Sequence, residues 1–431
     1  MQRLFSWQIP YPGVLALIIF LILFFNSHFS VLYSQEIRKT AVYDEQLKSL
    51  QMRIGGEPCL MPVIEMNGGE KVEISFDAFG HDYKRFAYAV EYCDADWRLS
   101  ALSQMEYMDG MPGLTINDFA GSTNTTVEYT NYRLEMPNDD VRLKISGNYV
   151  VRIYPEGEPA HTLLTACFSV VESQVVIDGG VSGNTLLDYN QGRQQVDFSI
   201  LLRNLAVQNP QTELKVFVYQ NGRKDNAVSG LNPTSILRDR LVYERNRKLI
   251  FEAGNEYRRF EFLSNMYNGI GVENIRFFNP FYHVTLQSDM PRRGQVHRYD
   301  EDHDGRYYIR CRNCSEADRE ADYCFVHFSL KMSELPGGTL HLLGDAFNNM
   351  LDERSRLTYN SSSGQYEKYV LLKQGHYNYS YVFLALGQSA GESFPVEGSF
   401  YQTSNEYDIF VYFRPFGVRY DKLVGVRKIR E

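Results

Sequence analysis

The sequence predicts an all-β chain of tandem β-sandwiches behind an export signal, and three observations predict it. Aromatic residues make up 14% of the 431 residues, with 31 Tyr and 27 Phe, and such rings favour pleated, half-buried surfaces. Runs of alternating hydrophobicity recur along the chain between turn residues, while helical periodicity is nearly absent. The N-terminus carries one positive charge, Arg3, followed by the 12-residue apolar run "VLALIIFLILFF", Val14 to Phe25.

That run is short of the roughly 20 apolar residues a spanning helix needs, and Asn26-Ser27-His28 breaks it. It reads as a secretory signal over residues 1–34, cleaved between Ser34 and Gln35. An uncleaved anchor is the alternative, because Phe29, Val31, Leu32 and Tyr33 extend the apolar stretch. The first cysteine beyond it is Cys59, too distant for lipid attachment. The mature chain is therefore expected to be exported, without a membrane span. Its formal net charge of −9 argues against a sequence-independent nucleic-acid binder, which needs a basic footprint.

Strands follow in order. "KVEISFDAF" alternates Val72, Ile74 and Phe76 against Glu73, Ser75 and Asp77, and "FAYAVEY" alternates Phe86, Tyr88, Val90 and Tyr92 against smaller residues. "VRLKISGNYVVRIYPEG" reads as a hairpin turning at Ser146-Gly147-Asn148, and Asn221-Gly222 marks another turn. The rhythm continues through "RRFEFL", "YHVTLQ", "CFVHFSLK", "EKYVLLKQGHYNYSYVFLAL" and "EYDIFVYFRPF". "SEADREADY", Ser315 to Tyr323, is the best short helix. The expected division is an N-terminal sandwich over 35–172, a middle one over 173–300 and a C-terminal immunoglobulin-like one over 301–431.

Two constellations carry the look of metal sites. Asp300, Asp302 and Asp304 alternate before Gly305 as in a calcium loop, but Cys311 stands where the closing glutamate belongs, so the sphere is incomplete. Cys311-x-x-Cys314 followed by Cys324-x-x-His327 resembles zinc ligands. Yet Cys324 and His327 sit three apart on an alternating strand, which points them to opposite faces. In an oxidising compartment a disulfide from Cys324 to Cys311 or Cys314 is favoured. No metal and no cofactor is therefore assigned. Nucleophile-elbow, zinc-protease and phosphate-loop motifs are all missing, so the chain reads as a binding protein rather than an enzyme.

The stretch "YCDADWRLSALSQMEYMDG" gathers the candidate binding residues Asp96, Trp97, Glu106 and Tyr107. Trp97 follows a strand, where a tryptophan caps the core between two sheets or anchors a partner contact. A sugar-stacking platform is a third use.

This region resembles the plug protein family of the type IX secretion system of Bacteroidetes. The resemblance rests on Phe76-Asp77, Tyr88, Cys93-x-x-Asp96-Trp97, Glu106-Tyr107, Tyr129-x-x-Tyr132 and Ser146-Gly147-Asn148-Tyr149, with Tyr92 where the family commonly has histidine. It extends to "FYHVTLQSDMPR", "LLKQGHYNYSYVFL" and "EGSFYQTSNEYDIFVYFRPFGVRYDKLVG". It implies a periplasmic, non-enzymatic plug that binds the large outer-membrane β-barrel translocon and closes its periplasmic end. The layout of "TLHLLGDAFNNM" and of Tyr377, Tyr379 and Tyr381 is also similar to immunoglobulin-like carbohydrate-binding modules, which makes an exported glycan-binding protein the alternative.

Overall fold

The computed structural model describes residues 37–80, 82–203 and 205–430, so the expected signal segment and its cleavage point lie outside the described residues. From Arg38 onward the chain forms one compact unit. It is all-β, with helices of only four residues or single 3-10 turns. No helix among the described residues is long and apolar enough to cross a membrane.

Three sandwiches make up the unit. The first packs the sheet ordered 57–58, 47–54, 72–79, 129–136, 118–121 against the sheet ordered 41–42, 164–171, 147–155, 86–93, 114–115. Phe76 and Tyr149, inward residues of the predicted alternations, fill the space between the sheets together with Tyr132 and Phe168. Phe76 stacks on Tyr132, with centroids 5.3 Å apart, a geometry that adds to simple area burial. The expected hairpin at 146–148 does not form. Residues 142–143 pair with 108–109, while the strand 147–155 lies between 86–93 and 164–171. Gly147 serves close packing instead: its φ is 141°, and a Cβ there would fall 2.1 Å from the Tyr92 hydroxyl. The turn at Asn221-Gly222 does form, with positive φ at both residues and the Arg223 N–H donating to the Gln220 carbonyl at 3.0 Å, as a turn of the primed type requires.

The expected boundary at 300/301 is not where the sheets divide. Strands 176–182, 193–201, 235–236, 240–243 and 250–252 form one sheet of the second sandwich. Its other sheet joins 214–220 to 406–413 and 422–430, the last strands of the chain. Ile409, Val411 and Val424 share the core of this sandwich with Val196 and Phe198. The third sandwich, built from strands between Arg258 and Ala385, is therefore an insertion in the second. Alternation locates a strand but not the sheet it joins, which depends on long-range pairing.

The first and third sandwiches meet through charge. Asp77 and Lys373, 0% and 1% exposed at their side chains, form an ion pair of 2.6 Å. The Tyr323 hydroxyl donates to the same carboxylate oxygen at 2.6 Å, and Asn131 donates to the other at 2.8 Å. Lys373 also donates to the Asp318 carbonyl at 2.7 Å and sits 4.1 Å above the Tyr129 ring. Beside it Arg53 grips the Asp318 carboxylate through two bonds of 2.7 and 2.8 Å. Asp318 lies on the predicted short helix, which runs over Ala317–Glu320.

A buried pair with every group satisfied is expensive to break from one side. Lys373→Met should lower the unfolding free energy by about 3–5 kcal/mol, because Asp77 is left buried without a cation. Asp77→Leu combined with Lys373→Met should recover most of that loss. Urea denaturation of the single and double variants measures both. A single variant as stable as the parent would show that the pair does not hold the seam.

Candidate functional site

The residues singled out around Trp97 land at the seam between the first and second sandwiches. Trp97 is buried and holds a left-handed backbone, with φ of 64° at the end of a tight turn. It does not cap the space between the two sheets of its own sandwich. It lies on the outer face with Cys93, Val150 and Cys167, and the Lys224 ammonium of the second sandwich rests 4.1 Å over its ring. That contact is a cation–π pair withdrawn from water. Asp96 is half-buried and pairs with Arg98 at 3.1 Å.

Glu106 closes a capping box, accepting from the Ser103 backbone N–H at 2.8 Å, and pairs with Arg419 of the second sandwich. The Ser103 hydrogen bonds hold its carboxyl below the ordinary range. Tyr107 is a core residue: its hydroxyl donates to the Val90 carbonyl at 3.1 Å, and burial pushes its pKa up to about 12.

The centre of this seam is Asp421, which sequence reasoning did not single out. Its carboxylate accepts from the Ala95 N–H at 2.9 Å, Lys215 at 3.0 Å and Arg414 at 2.8 Å. Asn148 adds a second tie, accepting from Ser169 at 2.8 Å and from Tyr412 of the second sandwich at 2.9 Å. Trp97 and Glu106 thus serve docking between sandwiches, Tyr107 serves core packing and Asp96 pairs within its own turn, and no catalytic grouping arises among them. Asp421 carries no local motif, and besides the nearby Arg414 its partners Lys215 and Ala95 lie 206 and 326 residues away in sequence.

The acidic loop turns its carboxylates apart. Asp300 pairs with Arg259 at 2.9 Å, Asp302 accepts the Tyr257 and Asp304 N–H groups, and Asp304 lies 3.2 Å from Arg430. Cations and amides take the positions that calcium would need. Among the described residues no group of three or more His, Cys, Asp or Glu is placed to hold a metal ion. Cys311 and Cys314 form a disulfide with each other, which corrects the expected bridge to Cys324. Cys324 is buried on the core face of its strand, its thiol 3.3 Å from the Asn265 side-chain oxygen. Strand geometry points it inward, away from the loop that holds the other two.

An exposed aromatic surface lies on the outer face of the third sandwich. Alternation on strands 272–278, 281–286, 323–331 and 365–373 brings Phe278, Phe281, His283, Phe325, His327 and Tyr369 to one side. Ring centroids follow one another at 5.2 Å (Phe278–His283), 5.3 Å (His283–Phe325) and 6.1 Å (Phe325–Tyr369). His283 Nδ1 and His327 Nε2 are 2.8 Å apart, so one ring donates to a neutral neighbour. Burial and the neighbouring His283 both hold His327 below the ordinary histidine range. Tyr377, Tyr379 and Tyr381 are in the core, where Tyr379 and Tyr381 donate to Asp289 at 2.7 and 2.8 Å. They present no stacking face to a sugar.

Comparison with known proteins agrees with this architecture. Residues 47–172, the span of the first sandwich, match the family described as the type 9 secretion system plug protein 1st domain. A crystal structure of a hypothetical protein from Parabacteroides merdae ATCC 43184 is 53% identical, covering 92% of this chain and 100% of that one, with a TM-score of 0.91. The chain belongs to the type IX secretion system plug protein family. No curated protein matches it. Dimeric latent PorU from Porphyromonas gingivalis aligns at 10% identity over 89% of this chain and 34% of that one, but the TM-score of 0.13 carries no argument. Membership ties the chain to the type IX secretion machinery of the cell envelope, and the family is one of secretion components rather than enzymes.

Two outcomes are expected from the seams of this plug-family protein. In a chain lacking residues 1–34, Trp97 is the sole tryptophan, and its emission should be blue-shifted and poorly quenched by acrylamide; emission at the position of free tryptophan would place it in water. Glu256 is buried near the junction of the second and third sandwiches, and burial pushes its pKa up to about 7. A raised carboxyl adds stability below its unfolded value of 4.5, and that stability is lost as pH rises through 7. From pH 4.5 to 8, Glu256→Gln should therefore gain about 3 kcal/mol on the parent. Parallel stability curves for the two proteins would show Glu256 ionised at neutral pH.

Proposed function

We propose that this protein is a non-enzymatic periplasmic plug, which binds the large outer-membrane β-barrel translocon of the type IX system and closes its periplasmic end while no substrate passes. The observation that carries the reading is the family match over the first sandwich together with near-full-length similarity to a solved relative. The physical design fits. A stopper for a wide barrel must resist deformation, and three sandwiches joined by buried ion pairs behave as a block rather than as beads on a linker. The inserted third sandwich strengthens this, since two chain crossings tether it to the second. Closure has to be reversible, so the barrel contact uses a broad polar and aromatic surface rather than a dry apolar one. Outward residues such as Phe278 and Tyr369 are available for it.

Purification of the tagged protein from its own envelope in gentle detergent tests this reading. A giant β-barrel should co-elute in stoichiometric amount. Recovery of the protein without the barrel, from cells that express the barrel, would overturn stable plugging.

A further inference from the structure

The disulfide between Cys311 and Cys314 closes a tight turn on the surface of the third sandwich. Both cysteines are half-buried, Arg312 and Asn313 between them are exposed, and so are Ser315 and Glu316 just beyond. A disulfide that supports a fold ties segments distant in sequence, because its effect grows with the length of chain it closes. This one joins residues with a separation of 3. Backbone bonds already hold the turn: the Arg310 N–H donates to the Gln374 carbonyl at 3.1 Å, and the Arg312 N–H to the Leu263 carbonyl at 2.8 Å. The bond therefore adds little to the fold, and its spacing is the Cys-x-x-Cys that dithiol exchange uses. The reduced state is also provided for, since the Cys311 carbonyl oxygen lies 2.9 Å from the Cys314 sulfur and accepts from its thiol. No other cysteine competes. Cys93, Cys167 and Cys324 are buried and Cys59 half-buried, and burial pushes each thiol above its ordinary range, where it is a poor nucleophile.

The segment that follows the turn docks the third sandwich on the first. Asp318 accepts from Arg53 at 2.7 and 2.8 Å and from Arg133 at 3.2 Å. The Arg319 carbonyl accepts the Thr123 N–H at 2.9 Å, and the Ala321 carbonyl accepts the Tyr129 hydroxyl at 2.7 Å. Asp322 accepts the Val127 N–H at 3.1 Å. Between the disulfide and these contacts stands one cap, in which Glu320 accepts the Ser315 and Glu316 N–H groups at 3.1 and 2.9 Å. Opening the ring returns conformational freedom to the chain where the docking segment begins.

We propose that Cys311–Cys314 is a reversible thiol–disulfide exchange site whose partner is a dithiol oxidoreductase, and that its reduction loosens the seam between the first and third sandwiches. A thiolate of the partner attacks one sulfur, forming a mixed disulfide and expelling the other cysteine as a thiolate. The partner's second thiol then displaces the first cysteine. In sum a pair of electrons and a pair of protons pass to this chain, which ends as a dithiol while the partner ends as a disulfide. The site does not depend on the plug reading.

The test equilibrates the full mature protein in glutathione buffers of graded ratio, blocks free thiols with a maleimide and reads the peptide containing Cys311 and Cys314 by mass spectrometry. The bond should be half-reduced within the range that glutathione spans, which structural disulfides resist. At equal thiol concentration a Cys-x-x-Cys dithiol protein should reduce it about tenfold faster than glutathione, or more. Amide hydrogen exchange over 315–322 should then rise about tenfold, while the core strand 147–155 keeps its protection. Cys311→Ser/Cys314→Ser should show the raised exchange without reductant and no further change with it. A bond that stays oxidised in excess reduced glutathione would be a structural staple, and the proposal would fall. Reduction at equal rates by the two reductants, or reduction that leaves exchange over 315–322 unchanged, would overturn it as well.

Discussion

The ion pair between Asp77 and Lys373 is the constraint on which the arrangement of the molecule rests. Both groups are withdrawn from water, and each is tolerated only because the other is present with a full set of hydrogen bonds. Asp77 stands on the outer face of a first-sandwich sheet, and Lys373 ends a strand of the third. A shift of either strand by one residue would send its charge to the other face and leave an unpaired ion. The pair therefore specifies register between sandwiches as well as joining them. Ser49, Tyr323 and Tyr129 are arranged around it.

The second sandwich closes the circuit. Its final strands carry Asp421 and Tyr412 to the first sandwich and Glu406 to Arg306 of the third, at 2.8 Å. Each sandwich thus touches both others through a buried carboxylate. Independent domains on linkers rotate against one another, because interfaces of ordinary size are polar and modest. Here the interfaces are polar too, but their charges are buried, so parting them exposes paired ions whose partners have gone. A molecule that blocks a pore benefits from that stiffness. The fold alone does not imply the role; family membership supplies the tie to secretion, and the seams explain how such a body keeps its shape.

The motif residues of the family resemblance acquire a physical meaning from these seams. Asp77 and Tyr129 face the third sandwich, Trp97 and Asn148 face the second, and Gly147 makes room for the Tyr92 hydroxyl. Residues that in sequence mark only a family resemblance or a candidate binding stretch include contacts between sandwiches. The outward aromatic face of the third sandwich left no comparable trace, because Phe325 and His327 alternate with Cys324 and Val326 in a strand whose two faces look equally apolar.

What the sequence determined by itself was local. Alternation of Val72, Ile74 and Phe76 against Glu73, Ser75 and Asp77 specified a strand and its inward face, and Asn221-Gly222 specified a turn, since both depend on neighbours a few residues away. Tyr377, Tyr379 and Tyr381, spaced at period two, share one face of their strand, and the structure places that face in the core. Pairing across the chain was decided only in three dimensions. The last strands join the second sandwich, Cys311 bridges to Cys314, and the outward Asp77 is buried because another sandwich covers it. Polar residues on an outward face carry the same pattern whether water or a neighbouring sheet lies beyond them, and the difference is made by contacts hundreds of residues apart.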